Sequence, residues 1–410
     1  MSAPTVAVLA TLDTKGEEAA YVKQRIEFLG GQALLIDIGL VGEPGTAPDI
    51  DRAEVIAKGG SSLAELLKAP DRQEAAPILI AGATAILMEL AEQGEIQAVL
   101  GFGGTQGSSN CAAAMQALPY GLPKILLSTM ASGDTSNFVD IKDITMMFPV
   151  SDILGLNPLS RTMLANAAAA AWGMAQAGVP LQRHEGGKAV IGMTNLGVIT
   201  DGAMHAMNRF HEAGHEVIVF HAVGSGGRAM EQLMKEGHIQ AVFDYALGEI
   251  SDEVHGGFRA ASPERLTVAG RLGLPQVLVP GGTEHIGLFT EANVVPDAYK
   301  NHVSVFHNPI IFVPRLNADD MRQVAASICE RLKHTTGQAV MMLPTKGTSR
   351  YCVKGAPLYD PEADTAFFEA LKSGVPQSVE CIQIEASAED PIFVDQAVDQ
   401  LLEMLAQKIA

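Results

Sequence analysis

The chain has 410 residues, of which 47% are hydrophobic and 18% charged, a composition that suits two or three globular domains with large buried sheets. Lys and Arg together number 28 against 47 Asp and Glu, a formal net charge of -19, so the basic face that a nucleic-acid backbone requires is not expected. A nucleotide is still admissible, because a local pocket of amides with one or two cations is enough to hold its phosphates.

The opening stretch MSAPTVAVLATLDTKGEE lacks the basic region of a secretory signal, and no uninterrupted apolar run reaches membrane-span length. The four cysteines, Cys111, Cys329, Cys352 and Cys381, are scattered without a CxxC pair. Free thiols, a cytoplasmic setting and no membrane partner are expected.

Residues 5–12 (TVAVLATL) read as a buried strand, 17–29 as a helix ending at Gly30 and Gly31, and 32–39 (QALLIDIG) as a second strand. Residues 40–77, rich in Gly, Pro and Asp, read as an inserted loop with a short helix. The segments ILMELAEQGEIQAVLGFGG and GLPKILLSTMASGD bring a helix and two further strands, and an alanine-rich helix over 160–178 leads to a polar stretch, 182–187.

The same order then recurs. A strand at 188–196 (KAVIGMTNL) is followed by a helix at 202–212 before Gly214, a strand within HEVIVFHAVG, then AMEQLMKEGHIQAVFDYAL and GLPQVLVPGGTEH. An offset of 183 pairs Thr11 with Thr194 and Gly31 with Gly214, whereas an offset of 143 pairs Ile96 with Ile239. The change of 40 assigns the insertion to the first half, and Pro123 pairs with Pro275 farther on. Strands at 339–343 and 380–384 and a helix at 392–409 close the chain. The expected class is α/β, with two Rossmann-like parallel-sheet domains related by internal duplication, over 1–183 and 184–410.

Ligands of such sheets sit beyond the carboxyl ends of the strands, which singles out the loops that follow them. In the first, Thr11, Asp13 and Lys15 can hold an anion or a metal-bound phosphate, with Thr14 and Glu17 at capping-box spacing. In the second, GFGGTQGSS, Gly103, Gly104 and Gly107 let amides converge on an anion, and Thr105 and Ser108 add hydroxyls; neither GxGxxG nor a Walker A pattern is present. In the third, Thr129, Ser132, Gly133 and Asp134 can hold ribose or phosphate, with Asp134 as a Mg²⁺ ligand. In the second half, Gly224, Gly226, Gly227 and Arg228 form a glycine-rich helix start with a cation, whose first-half counterpart is Ala81-Gly82-Ala83-Thr84. Glu249, Glu284 and His307 follow second-half strands and are candidate acid–base groups, while ligand spacing for zinc is absent.

The segments LATLDTKGEE, GFGGTQGSS, ALPYGLPKILLSTMASGD, DILGLNPLSRTMLANAAAA, VFHAVGSGGRAMEQLMKEG and HNPIIFVPR, in this order, resemble the Tm-one-like ATP-binding family. That group spans bacteria and plants and includes the N-terminal domain of a tomato antiviral resistance protein. The resemblance implies two Rossmann-like subdomains, ATP with Mg²⁺, and a homodimer. Its functional positions fall on Thr11, Asp13, Thr14, Lys15, Gly103, Gly104, Thr105, Gly107, Ser108, Thr129, Ser132, Gly133 and Asp134. The chain departs from the family pattern at Asn195-Leu196-Gly197, at 245–249 and at 282–285, all in the second half, which points to a different substrate. The leading expectation is an ATP- and Mg²⁺-dependent enzyme acting on a small metabolite. The alternative is a non-catalytic nucleotide-binding module that regulates a partner or an assembly. A dinucleotide oxidoreductase, with Asp37 holding ribose, ranks below both because GxGxxG is missing.

Overall fold

The computed structural model describes residues 3–179, 181 and 188–409, so the polar stretch expected at 182–187 lies outside the described residues. The chain divides into two compact units, Met1–Leu181 and Gln182–Ala410.

The first unit runs β1 (Thr5–Ala10), α1 (Leu12–Phe28), β2 (Gln32–Asp37), α2 (Arg52–Lys58), α3 (Leu63–Leu66), α4 (Arg72–Glu92), β3 (Ala98–Gly103), α5 (Thr105–Gln116), β4 (Lys124–Ser128), α6 (Ser136–Val139), β5 (Ile144–Met147) and α7 (Pro158–Ala177). The second runs β6 (Val190–Asn195), α8 (Thr200–Glu212), β7 (Glu216–His221), α9 (Ser225–Lys235), β8 (Ala241–Ala246), α10 (Gly248–His255), α11 (Val268–Arg271), β9 (Gln276–Gly281), β10 (Leu288–Phe289), β11 (Ser304–Asn308), β12 (Ile311–Pro314), α12 (Ala318–Leu332), β13 (Ala339–Pro344), α13 (Pro361–Gly374), β14 (Glu380–Ile384) and α14 (Pro391–Ile409).

The first sheet has the order β2-β1-β3-β4-β5 and the second β7-β6-β8-β9-β13-β14, with parallel pairing throughout both. Renumbered within each large sheet, both begin 2-1-3-4-5, a doubly wound order that opens a crevice beside the first strand. The second unit adds a sixth strand and a small antiparallel sheet, β10-β12-β11, between β9 and β13. Because successive side chains on a strand point to opposite faces, each sheet feeds two cores. Val6, Val8 and Ala10 pack toward α1 and α7, whereas Ala7 and Leu9 pack toward α2, α4 and α5. All four cysteines are free thiols, three of them buried.

The duplication extends to individual hydrogen bonds. The Gln97 side chain accepts from Thr5 N at 2.8 Å and donates to Gly94 O at 2.7 Å; Gln240 does the same with Val190 N at 3.0 Å and Gly237 O at 2.9 Å. Val99 N donates to Pro123 O at 2.8 Å, and Val242 N donates to Pro275 O at 2.9 Å. Near the first helix the pairing shifts from that read in the sequence. Gly30 (φ 90°) and Gly214 (φ 83°) are the left-handed residues that end α1 and α8, so Gly30, not Gly31, matches Gly214. Thr11 and Thr194 are likewise not equivalent: Thr194 is buried within β6, whereas Thr11 caps α1.

The inserted segment forms two short helices and the start of a third. α4 begins at Arg72, capped by Asp71, and carries Pro77 in its second turn. Ala81-Gly82-Ala83-Thr84 therefore lies inside a helix rather than in an anion loop. Gly82 is where α4 meets α2: a Cβ there would fall 1.8 Å from the Val55 carbonyl oxygen. Its segment Gln73–Glu92 is long and apolar enough to cross a membrane by length and composition, yet Ala75, Leu79, Ala83, Ile86, Leu87 and Leu90 pack in the core of this unit. Gly82→Ala should force α2 and α4 apart and lower the stability of the first unit by about 1–3 kcal/mol, read from urea denaturation of the full chain.

Candidate functional site

The β1–α1 turn and the start of α5 meet at the carboxyl end of the first sheet, around a cleft of about 310 Å³. Thr11, Asp13, Thr14, Lys15, Gly104, Thr105 and Gly107 all line it, joined by Asp152. Loops distant in sequence thus supply one site, because β2 and β3 flank β1 as hydrogen-bonded neighbours and the loop after β2 adds Ile38, Gly39 and Leu40.

The two helix starts differ. Gly104 caps α5 with no side-chain hydrogen bond, so the amides of Thr105, Gln106 and Gly107 have no carbonyl one turn back to receive them. At α1, the Asp37 carboxylate fills that role. Its Oδ1 accepts from Leu12 N at 3.0 Å and from Gly39 N at 2.8 Å. Asp37 is 1% exposed, and burial raises its pKa, with the neighbouring Asp13 charge adding to the rise against the amides and Arg52. The capping box expected from Thr14 and Glu17 does not form. The helix starts at Leu12, and Thr14 Oγ1 sits 2.9 Å from Thr11 Oγ1, with a break in helical geometry at Lys15.

Other expected residues point elsewhere. Ser108 is buried, donating to Gly103 O at 3.0 Å and lying 2.6 Å from Ser128 Oγ; this links β3 to β4 and takes Gly103 and Ser108 out of the cleft wall. Half-buried Thr129 and exposed Ser132, Gly133 and Asp134 lie in a turn outside it. Asp134 accepts from Ser136 N at 3.0 Å, a bond that lowers its pKa and gives it the work of a turn. Among the described residues no group of three or more His, Cys, Asp or Glu is placed to hold a metal.

In the second unit the glycine-rich loop is already occupied by the protein's own anion. Glu249 Oε1 accepts from Gly224 N at 2.6 Å and from Gly227 N at 3.3 Å, at the amino end of α9. Gly227 allows this, since a Cβ there would fall 2.2 Å from Glu249 Oε2. Arg265 closes the arrangement, donating to Glu249 Oε2 at 2.7 Å and to both oxygens of Asp244. Gly224, Gly226, Gly227 and Arg228 thus belong to a helix start closed by an internal carboxylate, and the fully buried Glu249 is structural rather than an acid–base group.

Glu284 and His307 lie near a second cavity of the same unit, of about 400 Å³. Glu284 is fully buried behind it, where His285 Nδ1 approaches Oε1 at 2.9 Å, Thr348 donates to Oε2 at 2.8 Å and Ser349 donates to Oε1. Burial alone would raise its pKa, but His285, Ser349 and Arg315 hold it down to about 2. His307 stands at the cavity mouth with Nδ1 3.5 Å from the Tyr351 hydroxyl. Sequence reasoning missed Arg259, Arg265 and Tyr351 because no motif marks them: Arg259 turns back on Asp252, Arg265 on Asp244 and Glu249, and Tyr351 meets His307 from a distant loop. The one local signal was the turn Gly282-Thr283-Glu284-His285 directly after β9.

Comparison with known proteins places this geometry among relatives. The N-terminal and C-terminal domain descriptions of an uncharacterised protein family (UPF0261) match residues 4–180 and 188–405. A UPF0261 protein of Clostridium tetani is 38% identical, covering 98% of each chain. The tomato (Solanum lycopersicum) ToMV susceptible protein tm-1(GCR26) is 28% identical over 98% of this chain, which spans 56% of that longer protein. Among solved structures, UDP-N-acetylglucosamine 2-epimerase from Rickettsia bellii shares 11% identity, covering 68% of this chain and 79% of its own, with a TM-score of 0.21, too low to bear on function. Replacing the guanidinium in Arg265→Met strands the Asp244 and Glu249 charges and should cost about 3–5 kcal/mol of stability at neutral pH, measured by urea unfolding.

Proposed function

The chain belongs to the uncharacterised protein family UPF0261, and from that premise we propose that its first unit binds ATP with Mg²⁺ as the cofactor side of an enzyme acting on a small metabolite. One observation carries this reading: the open amino end of α5 shares a cleft with Lys15 and the Thr11 and Thr14 hydroxyls. Unpaired amides, a helix dipole and an ammonium group together favour a phosphate. The hydroxyls add donors that orient it, and the cleft volume lies at the lower end of the range for small-ligand sites.

The acidic residues fit a hard cation. Asp13 Oδ1 and Asp37 Oδ2 are buried without a hydrogen-bond partner. A Cβ on Gly39 would fall 2.9 Å from Asp13 Oδ1 and 3.0 Å from Asp37 Oδ1, so glycine leaves this cradle open. Asp13, backed by Asp37, would hold Mg²⁺, with phosphate oxygens and water completing the shell that two carboxylates leave short. When bound, the ion would neutralise phosphate charge. Lys15 positions the phosphates, and the α5 amides stabilise charge on them, which is the main work in phosphoryl transfer.

Lys15→Ala should weaken Mg·ATP binding roughly 10- to 100-fold by calorimetry, the loss expected for one charged hydrogen bond; unchanged affinity would remove Lys15 from the site. Asp37→Asn has opposite effects on stability and binding. Burial favours the neutral Asp37 carboxyl, so above its raised pKa the ionised form costs folding energy that asparagine does not. The variant keeps an oxygen for Leu12 N, and should gain about 2–4 °C in melting temperature at neutral pH without ligand. It should also lose the Mg²⁺ dependence of ATP binding.

A further inference from the structure

The cavity beside His285 has an uncommon wall. Its polar side chains are His221, Arg259, His285, His307 and Tyr351, and among the described residues no carboxylate lines it. In a chain with a formal net charge of -19, a lining that carries an arginine and three histidines but no carboxylate favours an anion. The remainder is apolar, including Leu196, Val198, Phe258, Ile311 and Val313.

The donors are fixed from behind. Asp252 grips Arg259 twice, accepting from Nε and from Nη2 at 2.8 Å each, which leaves Nη1 directed at His285 Nε2, 3.4 Å away. His285 is 2% and Arg259 5% exposed, so neither is a solvated surface group. Glu284, locked by Thr348 and Ser349, accepts from His285 Nδ1; this sets the tautomer and leaves Nε2 as the ring's acceptor. Tyr351 stacks at a tilt 6.0 Å from the His285 ring and reaches His307 through its hydroxyl. Phe258 packs on Phe289 of β10 at 4.4 Å, and β12 adds Ile311 and Val313 to the apolar side.

We infer that this cavity is a binding site for a small carboxylic acid with a branched or aromatic apolar body. Arg259, Tyr351, His307 and His221 would receive the carboxylate, and the apolar wall the body. Pairing of Arg259 with Asp252 keeps the empty site electrically affordable, while Glu284 orients the His285 ring. The charge of the ligand then meets oriented donors, with the Arg259 counter-ion held behind the wall. The site needs no nucleotide, and it stands or falls independently of the first-unit cleft.

The test uses the full chain without nucleotide and three probes of one shape: 4-methylpentanoate, 4-methylpentanamide and 4-methylpentylamine. Histidine side-chain NMR reports binding at His285 and His307, and calorimetry gives affinities. The carboxylate should shift both histidines and bind at least about tenfold tighter than the amide, with the amine silent; a tenfold ratio is about 1.4 kcal/mol. Tyr351→Phe and His307→Ala remove donors at the cavity edge with little risk to folding, and each should weaken carboxylate binding severalfold. The inference fails if no histidine shifts at about 10 mM carboxylate, a concentration above weak millimolar affinity. It fails equally if the amide or amine binds as well as the acid, or if both variants bind like the parent.

Discussion

The Arg265 guanidinium sits fully buried in the second unit, and the local structure is organised around its charge. It offsets Asp244 on β8 and Glu249 on α10, and Glu249 in turn closes the amino end of α9. The charges balance with the help of the backbone. Burial pushes the Glu231 carboxyl up to about 8, and the α9 amides supply the partial positive charge that one arginine lacks against Asp244 and Glu249. Desolvated ions are tolerated only when each is paired and hydrogen-bonded, so a strand, two helices and a glycine-rich loop are held in one arrangement.

The same physics divides the loops into closed and open ones. Helix starts at the carboxyl ends of parallel strands attract anions. The chain satisfies α9 with Glu249 and α1 with Asp37, but leaves α5 without a side-chain cap. A closed helix start stiffens the scaffold, whereas an open one is available to a ligand. The duplicated ancestry makes this contrast informative. Gln97 and Gln240 still make the same bonds, so the scaffold has been retained while the loops above it have diverged. The second unit also carries the small sheet that contributes Ile311 and Val313 to the wall of the cavity beside His285.

Much of the architecture was legible in the sequence because parallel strands buried on both faces are continuous apolar runs, and because the IQAV and GLP words recur in order. The β13, β14 and α14 spans, and the helix after residue 158, follow the hydrophobic pattern closely. The reading of Ala81-Gly82-Ala83-Thr84 as a loop went astray because a glycine needed for helix–helix contact looks identical, in sequence, to one needed for a turn. Ser108 shows a similar limit: its place on α5 turns its hydroxyl toward β4 and away from the cleft.

The sequence by itself determined the two α/β units, their repeat, and the gathering of chemistry into loops after the strands, since periodicity, glycine placement and short apolar runs are local properties. Only the tertiary structure decided which loops are vacant. Glu249 lies 22 residues from Gly227 and Asp37 lies 25 from Leu12, and whether a carboxylate reaches a helix start depends on strand order. Asp252 with Arg259 and Glu284 with His285 are pairs close in sequence, but only the fold brings Arg259 against His285. An amide nest reads the same whether a ligand or the protein's own carboxylate fills it, and only the path of the distant chain tells them apart.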